Sequence, residues 1–157
     1  QINPWWNLGN CGDDGRFNVR TTDGEIACFG GRMPFYSFTG SHGLLYVKGT
    51  PIQLEMCYTA NDTTMLNPAT LEYKVTYNAI TYSSGPLAFD QGNPNENPPR
   101  GTWGMLSPAA VGGHVQYFIG ASMGGNIRAD WRNICYDVRD VIPVENTTWG
   151  AVKALYR

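Results

Sequence analysis

A serine and a histidine stand side by side in a glycine-bounded segment, at Ser41 and His42. A hydroxyl, an imidazole and a carboxylate can together form a nucleophile with its general base. Asp62, which leads out of a neighbouring strand-like run, is the candidate carboxylate. Adjacent side chains on an extended chain point to opposite faces, and no GxSxG elbow is present. The three residues are candidate catalytic residues of an esterase-like hydrolase. The two arguments against catalysis rank this hypothesis behind the binding functions below.

Two adjacent tryptophans, Trp5 and Trp6, offer flat apolar rings on which sugar rings can stack. Both cannot face inward from a straight strand, so one is expected at a binding or assembly surface. Core packing is the alternative role for such rings. Amides suited to sugar hydroxyls follow nearby, and Asn95 in a later polar loop is a further candidate binding residue. This pattern favours a secreted carbohydrate-binding module as an alternative function.

Metal and cofactor sites are not predicted. Asp13 and Asp14 lie in a glycine-bounded turn, but their spacing is not that of a calcium-binding EF-hand loop. The four cysteines, Cys11, Cys28, Cys57 and Cys135, form no CxxC pair of the kind that binds zinc. They allow three disulfide pairings, although free core thiols are the favoured hypothesis. Two Asn-x-Thr sequons, at Asn61 and Asn146, would fit a secreted chain.

Composition limits the class of protein. The chain has 157 residues, a formal net charge of -2 and only 15% charged side chains, so we expect no nucleic-acid contact by this segment. An apolar fraction of 42% is too high for disorder, and no apolar run is long enough to span a bilayer. With 19 glycines and 10 prolines, the composition indicates short strands joined by tight turns.

The elements that would position these residues show a two-residue period. Leu71, Tyr73, Val75 and Tyr77 alternate with polar residues, as expected for a half-buried strand. Further strands are predicted over residues 17–19 and 25–29, joined by a hairpin turn at Asp23 and Gly24, and over 33–38, 43–48 and 52–58, the last with Leu54 on its apolar side. A polar loop is predicted over 61–70 and a long surface loop over 83–101, and residues 61–70 and 90–100 are the expected contact loops. The pattern predicts an all-β protein, an antiparallel β-sandwich or jelly roll forming a single domain over residues 1–157. Because Gln1 is not a methionine, we expect a piece of a longer polypeptide.

Several short motifs resemble capsid proteins of insect picorna-like viruses. An aromatic segment (MPFY, residues 33–36) is followed by Gly40 and Ser41 and then by an apolar run (LYVK, 45–48). The segment IQLEM (52–56) resembles the next strand, and QYFIG (116–120) with NIRADW (126–131) resembles the last strand pair. The chain is shorter than a whole capsid jelly roll and lacks a basic arm. It is therefore similar to the protruding domain of an iflavirus capsid protein.

That resemblance implies a place on the virion surface, attachment to a host receptor, glycan or membrane, and contact with neighbouring capsid subunits. It also implies an Asp–His–Ser constellation, for which Ser41 and His42 are the adjacent pair in this chain. No motif fixes the aspartate. The first hypothesis is thus a surface-exposed virion domain, the second the secreted carbohydrate-binding module, and the third the esterase-like enzyme.

Overall fold

The computed structural model describes residues 2–6, 13–30, 33–89, 103–104, 110–113, 115, 128–133 and 135. The chain contains two compact units, residues 1–121 and residues 122–157. All the strands and the core described below belong to the first unit. In the second, residues 128–133 form no strand, so the strand expected near Trp131 is wrong for this part of the motif. That the whole chain is a single domain stays a prediction.

The first sheet is antiparallel and is centred on β1. Its strands are β1 (Ile2–Trp6), β2 (Asp13–Asp14), β3 (Arg16–Val19), β4 (Ile26–Phe29), β5 (Tyr36–Ser37) and β9 (Ala110–Gly113). β2 and β3 continue one register along the same side of β1, since Trp5 is paired with Asp14 and Ile2 with Phe17. β9 pairs with the other side of β1, and β4 and β5 extend the sheet beyond β3.

The turn between β3 and β4 follows from the Asp-Gly signal at Asp23 and Gly24. Gly24 adopts φ +80°, a left-handed conformation that glycine reaches without steric cost. The backbone N–H of Tyr46 donates to the Gly24 carbonyl over 2.8 Å. Arg20 pairs with Asp23 across the same turn. The predicted hairpin is therefore confirmed, and its turn also anchors the segment that contains Tyr46.

A short helix, α1 (Phe38–His42), stands where the sequence predicts a strand and a loop. Ser37 caps its N-terminus by accepting from the Gly40 N–H, and Gly43 ends it with φ +67°. Thr39 ties the helix to β4, since its hydroxyl oxygen accepts from the Ile26 N–H over 2.9 Å. Five residues are too few for a helix to be stable alone, so these caps and the buried Phe38 side chain hold it in place.

The strands predicted on both sides of α1 are corrected by the structure. Residues 33–38 contribute only the two-residue β5, because the chain enters the helix at Phe38. Residues 43–47 form no strand, and in this segment Leu45 is 57% exposed and Val47 is 60% exposed. The apolar residues of this segment therefore do not mark a buried strand.

The second sheet consists of β6 (Gln53–Thr59), β7 (Thr70–Tyr77) and β8 (Ile80–Ala88), antiparallel in that order. The predicted alternation in β7 is confirmed, since Leu71, Tyr73, Val75 and Tyr77 are all buried. Polar side chains of β7 alternate with them on the other face. This sheet therefore presents one face to the core and one to water.

β8 overturns part of the long loop predicted from residue 83 onward. The ladder is irregular opposite Glu72–Lys74, where the Ser84 hydroxyl oxygen accepts from the Tyr73 N–H over 3.0 Å. Gly85 takes φ +66° there, and Pro86 is paired with Glu72. β8 lies at the edge of its sheet, where proline is tolerated. The Ser84 side chain thus links β8 to β7 at the irregular part of the ladder, in a segment whose glycine and proline predict a loop.

Side chains from both sheets meet in one core. Phe17 of β3 stacks on Phe38 of α1 with ring centroids 5.7 Å apart, and it meets Tyr73 of β7 edge-on at 5.6 Å. The buried Tyr73 hydroxyl donates to the Pro34 carbonyl over 2.8 Å. The described part of the chain is strand-rich and antiparallel, which confirms an all-β protein.

Alanine substitutions at two glycines can test how closely the backbone of Tyr46 approaches the β3–β4 turn. A Cβ on Gly24 would lie 2.9 Å from the Tyr46 carbonyl oxygen, whereas one on Gly49, with φ +89°, would meet nothing within 4 Å. We expect Gly49→Ala to cost about 1–2 kcal/mol from backbone strain alone. Gly24→Ala should cost about 1–3 kcal/mol more, because backbone atoms must move. Urea unfolding of both variants checks this, and equal losses would contradict the close approach.

Core burial separates two leucines on neighbouring strands. Leu71 is 1% exposed, and we expect Leu71→Ala to cost about 2–5 kcal/mol. Leu54, which the alternation alone assigns to the core, is only half-buried. Its replacement by alanine should cost about 1–2 kcal/mol, because less apolar surface is returned to water. Thermal or urea unfolding compares the two, and a larger loss for Leu54→Ala would show that the core is misplaced.

Candidate functional site

His42, the last residue of α1, lies among aromatic rings from three elements. Its Nε2 is hydrogen-bonded to the Tyr36 hydroxyl at 2.9 Å. Its ring stacks on that of Phe38, with centroids 5.9 Å apart, and lies 5.2 Å from the ring of Tyr82 in β8. We call Tyr36, Phe38, His42 and Tyr82 the His42 cluster.

The fold explains why these four rings meet. Phe38 and His42 are four residues apart and therefore share one face of α1. β5 delivers Tyr36 immediately before the helix, and its ring meets that of Phe38 edge-on with centroids 4.9 Å apart. α1 contacts β8, which contributes Tyr82 from the second sheet. Phe38 is buried, Tyr36 and Tyr82 are half-buried, and His42 is exposed.

The candidate catalytic residues do not form a triad. Ser41 is exposed and makes no hydrogen bond to His42, whose Nε2 is engaged by Tyr36 instead. Asp62 lies between β6 and β7, where it accepts a hydrogen bond from the Asn67 side chain over 2.7 Å. The pairing of His42 with Tyr36 has no local sequence signal, since it depends on the helix that the sequence does not predict.

The second candidate region is the loop between β6 and β7, residues 60–69, which we call the braced loop. The Asn61 amide donates to the Pro68 carbonyl over 2.7 Å and closes the loop at its base. The Asn67 amide donates to Asp62 over 2.7 Å, and its backbone N–H donates to the Thr64 hydroxyl oxygen over 3.2 Å. The polar loop predicted here is confirmed, and its polar side chains fix its conformation.

Residues outside the braced loop bind its last residue, Ala69. The Ala69 N–H donates to the Trp103 carbonyl over 2.7 Å, and the Phe89 N–H donates to the Ala69 carbonyl over 2.8 Å. Gly104 approaches so closely that a Cβ there would lie 2.8 Å from the Ala69 Cβ. The loop is thus clamped between the end of β8 and residues 103–104.

At the middle of the braced loop, two large apolar side chains stand in water. Met65 is 68% exposed and Leu66 is 92% exposed. The backbone on the approach to them is unusual, since Asn61 and Thr63 adopt φ of 49° and 51°. Positive φ is costly for a β-branched residue such as Thr63. The sequence signal for this site is an apolar pair inside a polar loop.

The solvated face of the second sheet carries a charge network. Lys74 Nζ lies 3.3 Å from a Glu55 carboxylate oxygen and 3.5 Å from one of Glu72. The hydrogen bond with Glu55, with help from nearby negative charge, raises the pKa of Lys74. Ser83 donates to Glu72 over 2.6 Å, and the Cys57 thiol donates to Glu55. This face is therefore polar and internally paired.

The remaining candidate binding residues fall partly outside the described structure. Trp5 and Trp6 lie in β1 and are in register with Asp14 and Asp13 of β2, which therefore form strand rather than a turn. Asn95 lies outside the described residues. A sugar site at these positions stays a prediction.

The thiols give a direct test of the side-chain environments. Cys28, Cys57 and Cys135 are free, with Cys28 buried and Cys135 exposed, whereas Cys11 lies outside the described residues. Burial raises the pKa of Cys28, and burial together with the hydrogen bond to Glu55 raises the pKa of Cys57. At about pH 8 we expect iodoacetamide to modify Cys135 first, Cys57 more slowly and Cys28 only after unfolding, because the thiolate reacts. A higher pH should accelerate the reaction of Cys57. Peptide mass mapping checks this order, and rapid native alkylation of Cys28 would contradict its burial.

Within the described residues, no helix is long and apolar enough to cross a bilayer. Nor do three or more His, Cys, Asp or Glu side chains of that part of the chain come together where they could hold a metal ion. No family model, curated protein or solved structure is significantly similar to the chain. The braced loop and the His42 cluster are therefore the two candidate sites.

Proposed function

We propose that this chain is a surface-exposed domain of a virion protein that attaches the particle to a host-cell receptor through the braced loop. In this proposal, the two sheets are the layers of a β-sandwich. The resemblance of the motifs around Ser41 and Ile52 to iflavirus capsid proteins supports the viral assignment. The observation that carries the attachment role is the exposure of Met65 and Leu66 on a loop fixed by its own hydrogen bonds.

Energetics favour a binding role for this loop. Burying a leucine or methionine side chain contributes about 1.5–3 kcal/mol each. Binding usually loses part of such a gain in ordering a flexible loop. Here the bonds from Asn61 and Asn67 have already fixed the backbone around the apolar pair. A receptor with an apolar pocket therefore gains the burial of Met65 and Leu66 with little ordering cost.

A protein receptor fits the braced loop better than a lipid surface does. Residues 60–69 contain an aspartate and neither lysine nor arginine. Attachment of a loop to an anionic membrane relies on basic residues near the surface, and two apolar side chains give weak insertion alone. The loop is therefore assigned to a protein pocket, and membrane attachment becomes an outcome of the test.

Binding of the labelled 157-residue chain to cultured insect cells, measured by flow cytometry, tests this assignment. Leu66→Ser should weaken binding by at least about tenfold, since each 1.4 kcal/mol is a factor of ten. Ile80→Ser is the matched control, because Ile80 is also an exposed apolar residue but lies on β8, at the β7–β8 turn. It should bind like the unaltered chain. Unaltered binding by Leu66→Ser, or equal loss in both variants, would refute attachment through this loop.

Two further measurements separate the parts of the proposal. Flotation with phosphatidylcholine vesicles should leave the chain unbound, and Leu66-dependent flotation would assign the loop to membranes instead. The open reading frame should continue upstream of Gln1 into a larger jelly roll. An encoded secretory signal peptide directly before Gln1 would refute the viral assignment and favour the secreted alternative.

A further inference from the structure

The His42 cluster is a second surface feature, separate from the braced loop, and it combines ring faces with free polar atoms. Tyr36 and Tyr82 pack against the core yet stay half-buried, and His42 at the end of α1 is exposed. The bond from Tyr36 to Nε2 fixes the imidazole ring. Within the described residues, Nδ1 of His42 and the hydroxyl of the adjacent, exposed Ser41 make no hydrogen bond.

The chemistry of this arrangement selects a class of ligand. The rings offer apolar, electron-rich surfaces, and the imidazole nitrogen and the hydroxyl can each accept or donate a hydrogen bond. A sugar ring needs both, since one of its faces carries C–H groups and its edge carries hydroxyls. None of the residues of the cluster is a lysine or an arginine, so the cluster has no permanent cation to pair with a phosphate or carboxylate.

The mutual tilt of the rings argues against a flat aromatic ligand held between two of them. His42 and Tyr82 are inclined by 55° to each other, and His42 and Tyr36 by 48°. A nucleobase inserted between two rings needs parallel faces. A puckered pyranose can contact one ring with its C–H face while its edge hydroxyls reach polar atoms beside that ring.

We infer that the His42 cluster binds the ring of a neutral monosaccharide, with Ser41 and His42 as the polar contacts and Tyr36 and Tyr82 as the apolar ones. This site differs from the sugar site that the sequence predicts at Trp5 and Trp6. It is independent of the receptor pocket proposed for Met65 and Leu66, so either assignment can fail without the other.

Saturation-transfer NMR with methyl β-D-galactopyranoside and methyl α-D-glucopyranoside tests the inference. We expect transfer from at least one of them with a dissociation constant in the millimolar range, about 1–10 mM. His42→Ala should reduce the affinity at least about tenfold, the loss that corresponds to roughly one strong contact. Ser41→Ala should reduce it less, and because Ser41 is exposed and unpaired, that variant should fold normally.

Tyr82→Leu removes a ring but keeps apolar volume, and it should abolish measurable binding. Tyr46→Leu is its matched control, since Tyr46 is another half-buried tyrosine packed against the same core. It should bind the sugar normally, with near-UV circular dichroism confirming the fold of each variant. No transfer from either sugar would overturn the inference. So would unchanged binding in both His42→Ala and Ser41→Ala, or binding lost in Trp6→Ala but kept in His42→Ala.

Discussion

Tyr73 connects parts of the first unit that lie far apart in sequence. Its ring packs edge-on against Phe17 of the first sheet, while its hydroxyl donates to the carbonyl of Pro34, 39 residues away. A buried carbonyl without a partner is expensive, so the position of residue 34 is tied to the position of β7. Burial also raises the pKa of the Tyr73 hydroxyl, which keeps it a neutral donor. The chain that leaves Pro34 therefore enters β5 and α1 from a defined point.

Both candidate sites inherit their geometry from that core. Phe38 is buried against Phe17, which fixes the helix, and the helix in turn fixes His42 four residues later. Tyr82 reaches the same place from β8, where it is paired with Val75 of β7. The packing of the core thus determines where the His42 cluster lies on the surface. The braced loop depends on the core more locally, through the backbone bonds of Ala69.

The predictability of these features from sequence depends on how local their causes are. The alternation in β7 reflects burial of every second residue, and the turn at Gly24 reflects a φ that glycine adopts easily, so both could be predicted. α1 could not, since FTGSH has a poor intrinsic helix propensity and is held by Ser37, Gly43 and a tertiary contact of Phe38. The strand β8 could not be predicted from sequence either, because the Ser84 side chain supplies a hydrogen bond that backbone pairing normally provides.

The same distinction explains the outcome for the site residues. Ser41 and His42 are neighbours in sequence, but their partners are set by tertiary structure, and the structure joins His42 to Tyr36 rather than to Ser41 or Asp62. Asp62 has a local role instead, as the acceptor for Asn67 within its own loop. The sequence groups Ser41, His42 and Asp62 by residue type alone, whereas tertiary packing decides which side chains come into contact.

Exposed apolar residues are common on protein surfaces, and Leu45 and Val47 lie in a segment that the backbone N–H groups of Tyr46 and Val47 anchor to neighbouring elements. Met65 and Leu66 differ because they are adjacent and because their loop bears a positive φ at Thr63. Folding has already paid the conformational cost of holding that loop in one shape, although the apolar pair gains no burial from it within the described part of the chain. A partner that covers the pair would gain apolar burial from a conformation that already exists. A role of the loop as a contact surface would therefore account for both the positive φ at Thr63 and the exposure of Met65 and Leu66.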